Sequence, residues 1–189
     1  MTLSEDHERD DATLVEEAKT GDADAFGQLY ERYAADIYRF LYAHLADRLE
    51  AEDLTAEVFL RAWRYLPRYR ERGFPFSSFL YRVARNMLID HRRGLKRQRQ
   101  FQERNLPPSF ADGMGPDEDI ARRADRRVLH QALSQLRADY RDVLVLRFLN
   151  GCSVAEVADI MRRSHGAVRV LQHRALKALR EHLPPDFGR

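Results

Sequence analysis

A single cysteine, Cys152, stands in a chain of 189 residues, so no internal disulfide framework can form. No apolar run approaches the roughly 18 residues that a membrane-crossing helix needs. The opening stretch, MTLSEDHERDDATL, is acidic and has no apolar centre, unlike a secretory signal. Strand-type alternation is weak throughout, and no internal repeat is visible. Cys152, His165 and His173 lack the paired ligand spacing of a zinc finger. Asp53, Glu57, Asp90 and His91 match no metal-nuclease template. These absences describe a soluble, cytoplasmic chain with no catalytic centre, metal or cofactor.

What the chain has is charge, unevenly placed. The formal net charge is only +2. Yet the first sixty residues carry 16 Asp/Glu against 5 Lys/Arg, and residues 61–104 carry 13 Lys/Arg against 3 Asp/Glu. A short acidic stretch follows, and the remainder is basic again. Charge runs are usually solvated faces; two basic regions separated by an acidic joint also suit a polyanion gripped in two places.

Helical periodicity organises the rest. A short helix carries Leu14, Val15 and Ala18 and ends near Gly21. Phe26, Leu29, Tyr30, Tyr33, Ile37, Phe40, Leu41 and His44 recur at three- and four-residue steps, as on one long amphipathic helix. AEDLTAEVFLRAWRYL places Leu54, Val58, Ala62 and Leu66 together, and Pro67 stops it. PRYRERGFPF reads as a loop, and SFLYRVARNMLIDHRR as a helix with Phe79, Leu80, Val83 and Met87 inward. The pattern fails from about Gly94 to Ala124, where Pro107, Pro108, Gly113, Gly115 and Pro116 cluster. It returns in RRVLHQALSQL and DYRDVLVLRFL. Asn150-Gly151 suits a left-handed helix end, and Ser153 with Glu156 forms a capping box. The expected architecture is all-α: two small helical domains joined by a flexible linker. The divisions are a tail over 1–11, a domain over 12–94, a linker over 95–124, a second domain over 125–183 and a tail over 184–189.

Two stretches carry chemistry. SVAEVADIMRRSHGAVRVLQHRALKALR holds two helix starts, at Ser153 and Ser164, across a short break. That suits a helix-turn-helix, whose second helix enters a major groove. Ser164 would lie near phosphate, and His165, Arg169, Gln172, His173, Arg174 and Lys177 would face base edges or backbone. A plain helical hairpin with a solvated basic face would look similar. Upstream, Trp63, Tyr65, Tyr69, Arg70, Arg72, Phe74, Phe76, Phe79, Tyr81, Arg82 and Arg85 interleave rings and cations. Arg82, Arg85, Arg92 and Lys96 share one helical face. Rings that stack bases beside cations that follow phosphates suit single-stranded nucleic acid, although Trp63, Phe76 and Phe79 fit a core better. Asp53, Glu57, Arg61 and Arg64 form a stripe whose acidic half suits a docking surface.

With these residues in order, the chain resembles a bacterial RNA polymerase sigma factor of the extracytoplasmic-function (ECF) class. The resemblance rests on DAFGQLYERYAADIYRFLYAHL, AEDLTAEVFLRAWRYL and FPFSSFLYRVARNMLIDHRR, and on LSQLRADYRDVLVLRFLNGCSVAEVADIMRRSHGAVRVLQHRALKALRE. It implies that the first domain binds core polymerase through the stretch holding Asp53, Leu54, Glu57 and Phe59. It implies capture of a flipped minus-ten base by the loop holding Tyr69, Arg70, Arg72 and Phe74, with Arg82, Arg85, Asn86 and Arg92 near the strand. The helix-turn-helix would read the minus-thirty-five element as duplex through Ser164, His165, Arg169, Gln172, His173, Arg174 and Lys177. The linker would run through the polymerase. An anti-sigma factor is a further expected partner, with no membrane insertion. Many members carry Gly in the helix-turn-helix turn where this chain has Met161-Arg162-Arg163; a left-handed backbone at Arg162 would cost more than at Gly, so a differently shaped turn is expected. A regulator that binds DNA without polymerase shares the C-terminal module, but leaves the Asp53/Glu57 face and the aromatic loop without a role.

Overall fold

Five helix starts carry a polar side chain, Asp10, Asp22, Asp47, Ser153 or Ser164, that accepts from an otherwise unpaired backbone N–H. The computed structural model describes residues 10–71, 73–101, 120–185 and 187. Helix α1 (Asp11–Lys19) is capped by Asp10, and α2 (Ala23–Leu45) by Asp22. Helix α3 (Arg48–Tyr65) is capped by Asp47 and closes in a 3-10 turn at Leu66–Arg68, with Pro67 at its start. Helix α4 covers Phe76–Phe101. The C-terminal half holds α5 (Ile120–Gln135), α6 (Ala138–Leu144), a π turn (Val145–Leu149), α7 (Val154–Met161) and α8 (His165–His182). No strand occurs among the described residues.

Two boundaries differ from the sequence reading. Helix α4 continues past Gly94 to Phe101, because LKRQRQF consists largely of good helix formers and one glycine costs only about 1 kcal/mol. Helix α5 begins at Ile120, inside the stretch assigned to a linker; residues 102–119 lie outside the described residues. Of the expected N-terminal tail, residues 1–9 also lie outside them. Asp11 is anchored: its carboxylate accepts from Arg32 and from the Tyr33 hydroxyl.

Among the described residues, the apolar faces of the helices converge. Leu14, Leu29, Ile37, Phe40, Leu41, Val58, Leu66, Leu80 and Leu88 are fully buried in the N-terminal half. Val143, Val145, Leu146, Val157 and Val168 are fully buried in the C-terminal half. They belong to one apolar cluster that runs through both halves. At roughly 1.5–3 kcal/mol per large side chain, such burial supplies most of the drive to fold. Helix α4 packs on α7, and α2 packs on the π turn.

The helix-turn-helix follows from its caps. The Ser153 hydroxyl accepts from Glu156 N at 3.2 Å, and Glu156 Oε2 accepts from Ser153 N at 2.7 Å. Helix α7 ends at Arg162 in the left-handed region, φ 53 and ψ 52. Arg163 N donates back to Ala158 O at 2.9 Å, so the turn is a Schellman-type helix end. The missing glycine therefore did not reshape the turn; an arginine bears the strain. Gly151 (φ 68) makes the preceding turn without it.

Candidate nucleic-acid interface

Helix α8 presents its basic face to solvent. Ser164 caps it by accepting from Ala167 N at 3.2 Å, and His165 and Gly166 of the first turn are exposed. His165, Arg169 and His173 follow at four-residue steps and are exposed, with Arg174 and Lys177 beside them. Val168 and Ala175 hold the opposite face in the core. Gln172 is partly committed: its Oε1 accepts from Arg147 Nε at 3.2 Å. All seven residues expected on this face are thus brought together on one short helix and its cap.

The aromatic and basic residues upstream divide. Tyr69 packs edge-on against Phe76 and lies 4.9 Å, centroid to centroid, from Phe79. Trp63 lies 4.8 Å from Phe26, Phe76 is buried and Phe79 is half-buried, so these three rings serve the core, as their spacing suggested. Arg70 and Asn86 are exposed, Phe74 is half-buried, and Arg72 lies outside the described residues. A cleft of about 660 Å³ opens between Tyr65, Tyr69, Arg68 and Phe79 on one side and Asp159 and Arg162 of the helix-turn-helix on the other.

Arg82 and Arg85 do not face open solvent. Arg82 Nη1 donates to Asp159 Oδ2 on α7 at 2.7 Å. Arg85 Nε donates to Asp142 Oδ2 on α6 at 2.7 Å, and its Nη2 lies 3.6 Å from Asp139 Oδ1. Arg163 also reaches Asp139, at 2.6 Å. The second Asp142 oxygen is 2.8 Å from His44 Nε2 on α2, and His44 Nδ1 is 2.7 Å from Phe40 O. Burial alone would raise the Asp142 carboxyl; the bond and charge of His44 and the Arg85 guanidinium outweigh it and hold the group below the usual carboxylate range. Burial draws the His44 ring toward its neutral form, and the Asp142 bond opposes that. Half-buried Arg92 completes the group; its charge bears on both His44 and Arg141.

Arg141 joins the halves differently. Its guanidinium donates to Leu133 O at 2.8 Å, to Ser134 O at 2.7 Å and to His44 O at 3.1 Å. The carbonyl ends of α5 and α2 thus converge on one buried cation, where their dipoles favour it. Burial still pulls its pKa down to about 10, so it stays charged at neutral pH. Asn150 Nδ2 donates to Asp36 O at 3.0 Å, closing the other end of the seam.

On α3, Asp53 is exposed, Leu54 is half-buried, and Glu57 accepts from Arg61 Nε at 2.9 Å. Phe59 lies elsewhere: it is 3% exposed and packs against Phe26 and Tyr30. The apolar residue beside the acidic stripe is Leu60, 52% exposed. The spacing 53, 57, 60, 64 would have found it, since one residue turns the helix by about 100°. His44, Asp139, Asp142 and Asp159 were also missed; their partners lie far away in the chain, and no local pattern marks them.

A capped, outward-facing basic helix behind a strained turn, beside an all-helical module with an acidic stripe and an aromatic cleft, defines a helix-turn-helix protein built to hold nucleic acid. Family models extend this: Sigma-70 region 2 matches residues 29–98, and Sigma-70 region 4 matches residues 126–179. The ECF RNA polymerase sigma factor SigD of Mycobacterium tuberculosis is 36% identical over 181 residues, covering 93% of this chain and 84% of that protein. The ECF RNA polymerase sigma factor BldN of Streptomyces coelicolor is 35% identical over 173 residues, covering 92% of this chain but only 66% of the relative. The chain belongs to the ECF RNA polymerase sigma factor family. Among solved structures, the sigma factor RpoE of Bartonella quintana, determined with the anti-sigma factor NepR, shares the fold at TM-score 0.73 and 24% identity, covering 85% of this chain and 98% of that one. CnrH, determined with the cytosolic domain of CnrY, does so at TM-score 0.69 and 24% identity, covering 90% and 95%.

Proposed function

We propose that this chain directs core RNA polymerase to promoters as an ECF-type initiation factor. It acts by binding and makes no covalent bond. Residues 12–94 form the module that docks on core polymerase and holds the minus-ten strand, and 125–183 form the module that reads the minus-thirty-five duplex. The docking face is Asp53, Leu54, Glu57 and the exposed Leu60, with Phe59 supporting it from beneath. Tyr69, Arg70, Arg72 and Phe74 receive a flipped base, and Arg82, Arg85, Asn86 and Arg92 follow its strand. Base capture stabilises the melted duplex, because stacking on rings contributes about 1–3 kcal/mol per base. The partners are core polymerase, promoter DNA and an anti-sigma factor that holds the protein inactive; the compartment is the cytoplasm.

The observation that carries this reading is the pairing of the two sigma regions, in order, with an exposed basic α8. The test separates the two modules. Arg169→Ala with Arg174→Ala weakens binding to promoter duplex and flattens its salt dependence, by about 0.9 log units per phosphate contact per log of salt. Asp53→Ala with Glu57→Ala weakens association with core polymerase and leaves binding to isolated duplex unchanged. If the second pair abolished duplex binding and spared core association, the division of labour would be wrong.

A further inference from the structure

The strand-binding helix α4 and the helix-turn-helix module are not independent in this structure. We propose that the C-terminal half competes with the melted promoter strand for α4: the carboxylates of Asp139, Asp142 and Asp159 take the places that strand phosphates would take on Arg82 and Arg85. The proposal rests on the reading of α4 as a strand contact.

Three observations support it. First, the geometry is that of guanidinium on an oxyanion, at 2.7 Å for both Arg82–Asp159 and Arg85–Asp142. Arginine recognises carboxylate and phosphate by the same planar donor fork. Second, the occupied arginines are withdrawn from solvent: their side chains are 19% and 17% exposed, so a strand cannot reach them while α7 lies on α4. The same α7 end caps the aromatic cleft with Asp159 and Arg162. Third, both hydrogen-bond partners of the Asp142 carboxylate among the described residues, His44 and Arg85, belong to the other half. Apart, the halves would leave this carboxylate beside the buried Val143 and Leu144 without either bond.

The arrangement shown is therefore the closed form, with the duplex-reading face of α8 open and the strand-reading face of α4 shut. Opening the seam frees both arginines and uncovers the cleft. A bound strand, presenting a phosphate at each nucleotide, holds the seam open by the same mass action with which the carboxylates hold it shut.

The test uses the full-length chain. Asp139→Asn with Asp159→Asn removes two of the three competing carboxylates, at positions outside every proposed DNA contact and without touching the buried Asp142. Binding of a fluorescein-labelled, AT-rich single-stranded oligodeoxynucleotide and of its duplex is measured by anisotropy. Alkylation of Cys152 by iodoacetamide reports opening. This thiol is 5% exposed, and burial, with Glu156 and then Asp36 of α2 nearby, raises it to about 12. The expected result is single-strand binding tighter by about tenfold, the factor that follows from loss of about 1.4 kcal/mol of closure. Cys152 alkylates faster by a similar factor, and duplex binding changes less than twofold because α8 is already exposed. Equal gains on strand and duplex mean a general charge effect and overturn the proposal. Unchanged strand binding and unchanged alkylation, with the parent chain binding strand measurably, show that these pairs do not hold the seam. Faster alkylation with neither protein binding strand places the fault in the reading of α4 itself.

Discussion

Asp142→Asn is the most informative single change, because it removes one negative charge from the middle of the seam while keeping the side chain's shape. Asp142 is 3% exposed and accepts from His44 at 2.8 Å and from Arg85 at 2.7 Å. Breaking a buried pair by neutralising one partner costs about 3–5 kcal/mol. Arg85 keeps Asp139 at 3.6 Å, which places this case near the lower end, about 3 kcal/mol. The loss falls on closure and leaves folding of the individual helices alone, since every partner of Asp142 lies across the seam and the helix caps are untouched. At about 1.4 kcal/mol per decade, the open fraction should rise about a hundredfold. The assay is alkylation of Cys152 at pH 8 under conditions where reclosing outpaces reaction, so that the rate follows the open fraction, with far-UV circular dichroism as the control. In the closed form the thiol is raised to about 12 and is almost wholly protonated, whereas an exposed cysteine near 8.5 reacts readily at pH 8. A hundredfold faster alkylation with unchanged helicity is expected. Unchanged alkylation would refute the account of the seam; faster alkylation with parallel loss of helix would show that Asp142 holds the fold and not the closure.

Three further outcomes follow from local geometry. Arg162→Gly relieves a left-handed backbone worth about 1–2 kcal/mol, offset by the greater freedom of glycine in the unfolded chain, for a net gain of about 0.5 kcal/mol; a lowered midpoint in thermal unfolding would contradict this. Ser153→Ala removes one half of the capping box and should destabilise the protein by about 1 kcal/mol in urea unfolding, with duplex affinity falling in step with any loss of α7. Acidification should loosen the seam: the folded Asp142 carboxyl lies below its unfolded value, so its stabilisation is complete above pH of about 4 and is lost as pH falls through the folded value. Asp142→Asn should show a smaller change in Cys152 exposure over that interval than the parent chain.

Local patterns carried most of the fold. Recurrence at three and four residues located α2 and α3. The Ser153 box, the Ser164 cap and Gly151 located the helix-turn-helix, because each is a contact between neighbours in sequence. The end of α4 was misplaced because Gly94 reads as a breaker, whereas the residues around it favour helix. The family resemblance put Phe59 in the core-binding stretch, yet its side chain is buried with Val58 and Ala62. Arg82 and Arg85 were rightly joined on one basic face. Their carboxylate partners were invisible, since pairs such as Arg82 with Asp159 depend on how two halves settle against each other, and no spacing within either half encodes that. Nor does anything near His44 distinguish a buried, hydrogen-bonded histidine from another residue of an amphipathic stripe.

Run-off transcription with purified core RNA polymerase on a promoter library tests the central claim most directly. The account predicts initiation that depends on this chain, at promoters sharing a minus-thirty-five and a minus-ten element, and that falls when Asp53 and Glu57 or Arg169 and Arg174 become alanine. Binding of the chain to promoter duplex without association with core polymerase, and with no transcript above that of core alone, would contradict it.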